Sequence, residues 1–526
     1  MVTITVNGKE LKANPKETVL QVLLRNQTVI PHFCYHPKLS IAGVCRMCLV
    51  EVEGSRKLEV SCALPVRDSM VVHTESEKVL AGRQFVMEFT LVNHPLDCPI
   101  CDQAGECWLQ EYYMDHDRKP STMGDSKVHK QKVKPIGPRV MLDQERCILC
   151  TRCVRFCDEI TKTSELGIFN RGDRSILDIV EDKQLNNRYS ENVVDICPVG
   201  ALTSRDFRFD GRVWFLKEDP SICPGCARGC NTVIHHRDGT IRRILPRVNE
   251  KVNGHWMCDD GRTVRHQVHS ENRLRKPKRL VDGKLEAISW NKAFETLIPR
   301  FLEIKKNGTE KILGMASVRA TNEDNFAFIR FLENVLGIHL FSWEDLTPRI
   351  WEGDQLLRCE DQNPNTKGAK KVITSACNGK LEVLSGDRII KELEKESIKG
   401  LIILDQDLFF GMDKNAISKL KEQLKKLEFI LIFTPFENET TTLAHFSIPI
   451  TTFAEQDGSF TNCDGIVQHF QKTINPLGES LPLRQILEGL AEGLGVSLPF
   501  SGSKDFNKDL KTFLPEYSPA PGSSIR

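Results

Sequence analysis

The sequence predicts an α+β multidomain chain, and three observations carry that prediction. Residues 1–78 contain alternating apolar and polar stretches, VTITVNGKE and RKLEVSCALPV, that read as half-buried strands. Cysteine occurs 19 times, and 16 of the 19 lie before residue 259. From about residue 272, strand-like and helix-like patterns alternate, which indicates α/β layering.

Composition narrows the class of function. The 526 residues suffice for several domains. Lys and Arg (72) nearly balance Asp and Glu (71), so no overall field recruits nucleic acid or anionic lipid. No apolar run approaches the roughly 18 residues of a membrane span; LIILDQDLFF (401–410) is broken by aspartates. The N-terminal MVTITVNGKELKANPKE alternates like a strand and lacks the layout of a signal peptide. The expectation is therefore a chain whose thiols stay reduced, in which clustered cysteine means metal or redox chemistry rather than disulfides.

In chain order, five parts are expected. The β-rich part covers 1–78. A second part, 79–118, opens with the helical pattern EKVLAGRQFVMEFTLVNH, apolar at Val79, Leu80, Phe85, Val86 and Phe89. The basic stretch DSKVHKQKVKPIGPR (125–139) reads as a solvated linker. Cysteine-bearing regions follow at 140–212 and 213–271, and an α/β region at 272–526. In that last region KILGMAS, IKGLIILDQD and FILIFTPF read as strands and DKNAISKLKEQLKKLE as a helix. Thr321 and Asp324 resemble a capping box for a helix that places Phe328, Phe331, Leu332 and Val335 on one face and ends at Gly337. The tail SPAPGSSIR (518–526) reads as flexible.

The cysteines fall into sets of metal-ligand spacing. Cys34, Cys45, Cys48 and Cys62 form C-x10-C-x2-C-x13-C. Cys98, Cys101 and Cys107 form C-x2-C-x5-C, with His94 four residues before the first. Cys147, Cys150 and Cys153 form C-x2-C-x2-C, and Cys197 stands 44 positions on, followed by Pro198. Cys223, Cys226, Cys230 and Cys258 form C-x2-C-x3-C-x27-C. Thiolate selects zinc, cuprous ion or iron–sulfur clusters. Structural zinc usually takes two separated C-x2-C pairs. Three closely spaced thiolates closed by a remote Cys-Pro instead fit an iron–sulfur cage. The second set lacks a fourth thiolate, and His94-Pro95 ends a helix just before it, so His94 is the expected fourth ligand. A neutral imidazole removes one negative charge and should raise that site's reduction potential, as imidazole does in Rieske centres. Cys157 is expected to be unligated, and Cys359, Cys377 and Cys463 to be isolated buried residues.

The segments GVCRMCLVEVEG, NHPLDCPICDQAGEC, RCILCTRCVRFCDEI and DICPVGALTS resemble the large iron–sulfur subunit of bacterial respiratory complex I, the NADH:quinone oxidoreductase. The resemblance is dense over 1–271. It implies a β-grasp 2Fe–2S ferredoxin-like domain (1–78) held by Cys34, Cys45, Cys48 and Cys62. It implies a small helical 4Fe–4S segment (79–118) held by His94, Cys98, Cys101 and Cys107. A 4Fe–4S ferredoxin-like domain (140–212) would follow with Cys147, Cys150, Cys153 and Cys197. The set Cys223, Cys226, Cys230 and Cys258 would hold a further 4Fe–4S cluster in a molybdopterin-oxidoreductase-type domain (213–271). Two to three 4Fe–4S clusters are thus implied beside one 2Fe–2S cluster. Beyond 271, ISWNKAFETL, ASVRATNEDN and TTFAEQDGSFTNCDGIVQ are similar to framework stretches of molybdopterin oxidoreductases. That domain is short and shows no convincing metal ligand, Cys377 being the one candidate, so no molybdopterin is expected.

The resemblance implies an electron-transfer subunit that takes electrons from an NADH-oxidising flavoprotein partner and relays them toward quinone. It also implies a peripheral place on the cytoplasmic side of the bacterial inner membrane, no direct span, no nucleic-acid partner, and no substrate site or catalytic residue on the chain itself. No G-x-G-x-x-G or Walker A is present. Two alternatives share parts of the pattern. An iron-only hydrogenase would need further cysteine motifs in the C-terminal half, and a formate dehydrogenase catalytic subunit would need a longer domain there.

Overall fold

An Asn7–Gly8 turn opens the structure. Both residues have positive φ (49° and 80°), the geometry of a two-residue hairpin loop, and Gly8 adopts it without strain. The turn joins β1 (Val2–Val6) to β2 (Lys9–Ala13) in antiparallel register. β3 (Leu49–Val52), β4 (Glu59–Val60) and β5 (Met70–His73) complete a five-stranded sheet in the order β2-β1-β5-β3-β4, with β5 parallel to β1. Helix α1 (Val19–Arg25) begins in a Thr18–Gln21 capping box and packs Val19, Leu20, Val22 and Leu23 into the same core as the sheet. The expected strand RKLEVSCALPV is shorter than its pattern suggests. After Val60 the chain turns into a 3-10 segment, Ser61–Ala63, that carries Cys62.

This computed structural model describes residues 1–117, 119–121, 124–377, 382–498 and 504–518, with the side chains of Cys377, Lys504 and Asp505 excluded. The tail expected to be flexible lies outside the described residues from 519 on. The chain divides into two compact units, Met1–Leu216 and Lys217–Arg526.

Two expectations for the first unit are corrected. Helix α2 (Glu77–Leu91) forms as expected, but only part of its apolar pattern, Val79 and Val86, packs inward. It buries Val79, Arg83 and Met87, while Leu80, Phe85 and Phe89 are exposed. The reason is Arg83, whose guanidinium donates to the Leu49 carbonyl at 2.8 Å and belongs to the inner face despite its charge. The basic stretch 125–139 is not a solvated linker. Lys127 donates to the Leu91 and Val92 carbonyls, both at 2.8 Å. Lys132 pairs with Asp97 (2.6 Å) and Glu145 (2.8 Å), and Lys134 with Asp178 (2.7 Å). Its lysines are engaged by carbonyls and carboxylates within the unit, so the stretch is a strap. It leads into a three-stranded sheet of Lys134–Pro135, Val140–Leu142 and Leu202–Ser204.

The second unit begins with an antiparallel sheet of Lys217–Ile222, Asn231–Arg237 and Thr240–Pro246. Its main element is an eight-stranded sheet. Six strands run parallel: Phe446–Pro449, Phe429–Thr434, Gly400–Leu404, Ile312–Met315, Leu340–Ser342 and Glu382–Val383. Lys278–Val281 and Lys284–Ala287 form an antiparallel edge. Alternate residues enter two separate cores, Ile402 and Leu404 one, Leu401 and Ile403 the other. Helices therefore cover both faces, and the strands read as unbroken apolar runs. Thr321 caps the helix Asn322–Arg330 by accepting from the Asp324 amide at 2.9 Å. The helix then widens into a π-helical turn, Phe331–Leu336, before the left-handed Gly337.

Arg273 and Glu455 form an ion pair at 2.8 Å with both side chains fully buried. Arg273 also donates to the Pro435 and Val268 carbonyls, and Glu455 accepts from the Thr452 and Leu477 amides. Arg273→Met leaves Glu455 buried without its counter-charge. It should cost about 3–5 kcal/mol, read as a lower denaturant midpoint for the second unit.

Candidate metal centres

Each cysteine set is assembled by tight loops rather than by regular elements. In the first set, Cys48 and Cys62 are wholly buried and Cys34 nearly so. The sulfurs of Cys34 and Cys45, Cys34 and Cys62, and Cys48 and Cys62 lie within hydrogen-bond contact. Arg46 at φ 58° makes the turn between Cys45 and Cys48. The Phe33 and Cys34 amides donate to Cys45 Sγ at 3.4 and 3.5 Å. Backbone donors aimed at a sulfur stabilise negative charge there.

The second set lines a cavity of about 500 Å³ together with His94, Leu109, Tyr113 and Arg146. The structure brings His94, Cys98, Cys101 and Cys107 to this one space. His94 Nδ1 is buried without a hydrogen-bond partner among the described residues, the state of a donor atom awaiting a ligand. Burial, then the nearby Arg146 and Lys127 charges, lowers the His94 pKa to about 4, so the imidazole is neutral at pH 7. Arg146 is itself held by Asp97 (2.9 Å) and Asp143 (3.3 Å). Cys107 stands at the N-cap of helix α3 (Trp108–His116), and burial pushes its thiol up to about 11.

In the third set, Leu149 and Thr151 take left-handed φ values (54° and 62°) that wind the chain between Cys147, Cys150 and Cys153. Cys197 approaches from the far end of the domain, its Sγ donating to the Val199 carbonyl at 3.0 Å. Burial and then the neighbouring thiols push Cys147 to about 12 and Cys150 to about 11; Cys153 and Cys197 are raised too, mainly by burial. Cys157 is wholly buried, close to the Glu165 and Asp158 charges, and its carbonyl accepts the Thr163 and Ser164 amides.

In the second unit, Cys223 and Cys230 flank the loop between two strands and are joined by a 2.9 Å amide–carbonyl bond. Cys226 sits on that loop, and Cys258 caps the helix Asp259–Val268. All four are under 7% exposed. Gly261 is required here, because a Cβ would lie 2.7 Å from Met257 Cε and 3.0 Å from Cys223 Sγ. Burial raises Cys223, Cys230 and Cys258. Cys226 is held below the usual thiol range by a hydrogen bond from Cys359. Cys359 and Cys463 are therefore not isolated buried residues. Both are partly exposed, and their sulfurs are 3.4 Å apart. Nothing local in the sequence signals this. The side chain of Cys377 lies outside the description.

Among the described residues no group of three or more His, Cys, Asp or Glu side chains closes tightly on a single ion. The fit of iron–sulfur clusters rests on donor chemistry and burial. Four thiols, or three and an imidazole, face a common space where they cannot ionise together unless a cationic centre compensates them.

The three sets of the first unit adjoin one another. One hydrophobic cluster contains Cys34 of the first set, Cys107 of the second and Cys150 of the third, with Phe33, Met47, Leu109 and Val199. Arg152 ties the first set to the third, donating to the Tyr35 carbonyl at 2.6 Å and the Ile196 carbonyl at 3.1 Å. Arg155 donates to the carbonyls of both Cys34 (2.5 Å) and Cys150 (3.3 Å). The third set meets the second through Pro198, whose carbonyl accepts the Trp108 amide at 3.1 Å, and through Gly200, where a Cβ would lie 2.2 Å from Cys101 Sγ.

Comparison with known proteins identifies the family. Residues 1–77 match the 2Fe-2S iron-sulfur cluster binding domain, and 83–121 the NADH-ubiquinone oxidoreductase-G iron-sulfur binding region. Residues 137–203 match the ferredoxin-like domain of NADH-quinone oxidoreductase subunit 3, and 219–265 the NDSU1/NuoG-like 4Fe-4S domain. The chain belongs to the NuoG-like family of NADH-quinone oxidoreductase subunits. Residues 363–493 match molybdopterin oxidoreductase, so the domain types follow the order expected from the sequence. The NuoG-type NADH-quinone oxidoreductase subunit of Rickettsia bellii is 40% identical over 335 residues, 64% of this chain and 48% of its own length. The 75 kDa NADH-ubiquinone oxidoreductase subunit of Reclinomonas americana is 41% identical over 356 residues, 67% of this chain and 50% of its own. A chain of an NAD+-reducing [NiFe]-hydrogenase overlaps 40% of this chain and 91% of its own, at 29% identity and a TM-score of 0.38. The chain spans about half the length of the curated relatives it matches. Within the family it carries one 2Fe–2S domain and several 4Fe–4S domains.

Two variants probe the second set. Gly200→Ala should displace Cys101 and lower iron and acid-labile sulfide by one cluster's content, with the 2Fe–2S signal retained in EPR. His94→Cys should keep the cluster and lower its midpoint potential in an EPR-monitored titration, because a thiolate restores the missing negative charge.

Proposed function

We propose that this chain is an electron-transfer subunit of a proton-translocating NADH:quinone oxidoreductase. It would hold a 2Fe–2S cluster on Cys34, Cys45, Cys48 and Cys62. It would hold 4Fe–4S clusters on His94, Cys98, Cys101 and Cys107, on Cys147, Cys150, Cys153 and Cys197, and on Cys223, Cys226, Cys230 and Cys258. Such a cluster, when bound, supplies one-electron redox chemistry with little change of shape. The single observation that carries the reading is the hydrophobic cluster shared by ligand cysteines of three sets. Together with Arg155, which bridges Cys34 and Cys150, and the close approach of Gly200 to Cys101, it supports a relay in which the third set stands between the first and the second.

The chain's own residues perform three tasks in this reading. Phe33, Met47, Leu109 and Val199 exclude water between the sets, which limits solvent reorganisation. Arg152 and Arg155 brace the two loops that face each other across the first and third sets and place positive charge beside their thiolates. Arg152 also stacks on Trp108, 4.4 Å from the ring centroid, which ties the same cation to the second set's helix. The Cys223 set belongs to the second unit and contributes assembly or stability rather than a link of the relay.

The partners in this reading are other peripheral-arm subunits of complex I, including an NADH-oxidising flavoprotein that feeds the relay, with quinone as its distant acceptor. Among the described residues no helix is long and apolar enough to cross a membrane. In this reading the chain takes a peripheral place, on the cytoplasmic side of the bacterial inner membrane. The α/β domain from 272 on serves as a structural relic without molybdopterin.

Anaerobically purified protein, titrated with reductant, should give one 2Fe–2S and three 4Fe–4S EPR signals. Pulsed EPR should find the third set's spin coupled to the first and to the second more strongly than those two couple to each other. Colourless, iron-free protein, or a strongest coupling between the first and second sets, would overturn the assignment.

A further inference from the structure

Cys359 and Cys463 lie 104 positions apart in the chain, yet Cys359 Sγ donates to Cys463 Sγ at 3.4 Å. Cys226 lies within reach of the same Cys359 S–H, which is shared between Cys463 and Cys226 in a three-centre contact, so Cys359 stands between the pair and the fourth set. The arrangement is pinned by backbone. The Cys463 amide donates to the Ala227 carbonyl at 2.7 Å, the Ala227 amide to the Asp361 carbonyl at 2.9 Å, and Trp351 Nε1 to the Cys359 carbonyl. Both sulfur-bearing residues line an open cavity of about 680 Å³, together with Arg228, Arg358 and Lys367. The Arg228 guanidinium, held by Asp464 at 3.1 Å, lies near both sulfurs; the Cys359 hydrogen bond and then this charge favour the thiolate of Cys463, while Cys359 keeps its proton. Cysteines kept only for packing are enclosed and inert, whereas reactive ones are partly exposed beside a cation. This pair has the second setting.

We propose that Cys359 and Cys463 form a reversible dithiol–disulfide couple on the wall of this cavity, a redox modification site whose oxidant is a small-molecule disulfide. The hydrogen-bond direction assigns the roles. Cys463, the acceptor, is the attacking thiolate; its sulfur bonds to one sulfur of the incoming disulfide and the other leaves as a thiolate. Cys359 gives up its proton to that thiolate and attacks Cys463 Sγ, and the second small-molecule thiolate leaves and takes a proton from water, replacing the one Cys463 had already lost. Two protein thiols are oxidised to one disulfide while one small disulfide is reduced to two thiols. Once bonded to Cys463, Cys359 has no S–H to donate to Cys226. Loss of that hydrogen bond lowers the reduction potential of a cluster held there. This last consequence rests on the assignment of Cys226 as a ligand; the couple itself does not.

The test uses the full chain, purified anaerobically with its iron, exposed to oxidised glutathione, alkylated and digested for mass spectrometry. The expected result is a peptide cross-link between Cys359 and Cys463, reversed by dithiothreitol, with iron content unchanged. Cys359→Ser should leave Cys463 trapped as the glutathione mixed disulfide, and Cys463→Ser should leave neither product. Wild-type protein in which both residues remain alkylatable, or in which Cys226 is cross-linked with loss of iron, would overturn the proposal. EPR in parallel should show the fourth set's midpoint lowered in the disulfide form. A cross-link formed in protein lacking iron at the fourth set would instead overturn the Cys226 assignment and leave the couple standing.

Discussion

Burying thiolates together is the constraint on which this structure depends. Cys147, Cys150, Cys153 and Cys197 press on one another in a site where burial alone already raises each thiol. Such a group is poor as a folded core by itself, since no apolar packing compensates four sulfurs that repel when ionised. A cationic iron–sulfur centre would remove the conflict and would make cluster binding and folding of these loops one event. The loops show this in their backbone. Arg46, Leu149 and Thr151 sit in left-handed conformations that non-glycine residues rarely adopt, and the turns they make set the sulfurs on one space.

The first unit extends the same logic from one cage to three. Water near a redox centre raises the cost of changing its charge, and a shared apolar core around Cys34, Cys107 and Cys150 keeps it out. Arginine supplies what the apolar side chains cannot. Arg152 and Arg155 satisfy carbonyls on facing loops and lend positive charge where the thiolates are negative. Arg146 does so beside Cys101 while keeping His94 neutral. Each of these cations is held by backbone carbonyls or carboxylates, so their position is fixed rather than sampled.

The second unit rests on a different principle. A parallel sheet with an apolar core on each face supplies a rigid frame, and loops elsewhere in the same unit carry Cys226, Cys359 and Cys463. The buried Arg273–Glu455 pair gives that frame a single arrangement of its connections. Loops on a rigid frame are where a protein can hold a reactive pair of thiols at a defined separation.

The sequence by itself set out the four cysteine groups proposed as ligand sets, because each contains at least one C-x2-C pair and such spacing survives any fold. It pointed to His94 as well, since a three-cysteine set lacks a fourth thiolate and a histidine stands four residues before it. The strands around Leu401 and Leu431 were legible because burial on two faces writes an unbroken apolar run. Tertiary structure decided the rest. Whether Phe85 or Arg83 faces inward on α2 depended on the Leu49 carbonyl opposite, not on hydrophobic pattern. The basic stretch became a strap because Asp97, Glu145 and Asp178, all distant in sequence, met its lysines. The adjacency of the first and third sets, and the meeting of Cys359 with Cys463, are contacts between residues about a hundred or more positions apart. Local spacing carries no record of such contacts; they exist only once the chain has closed on itself.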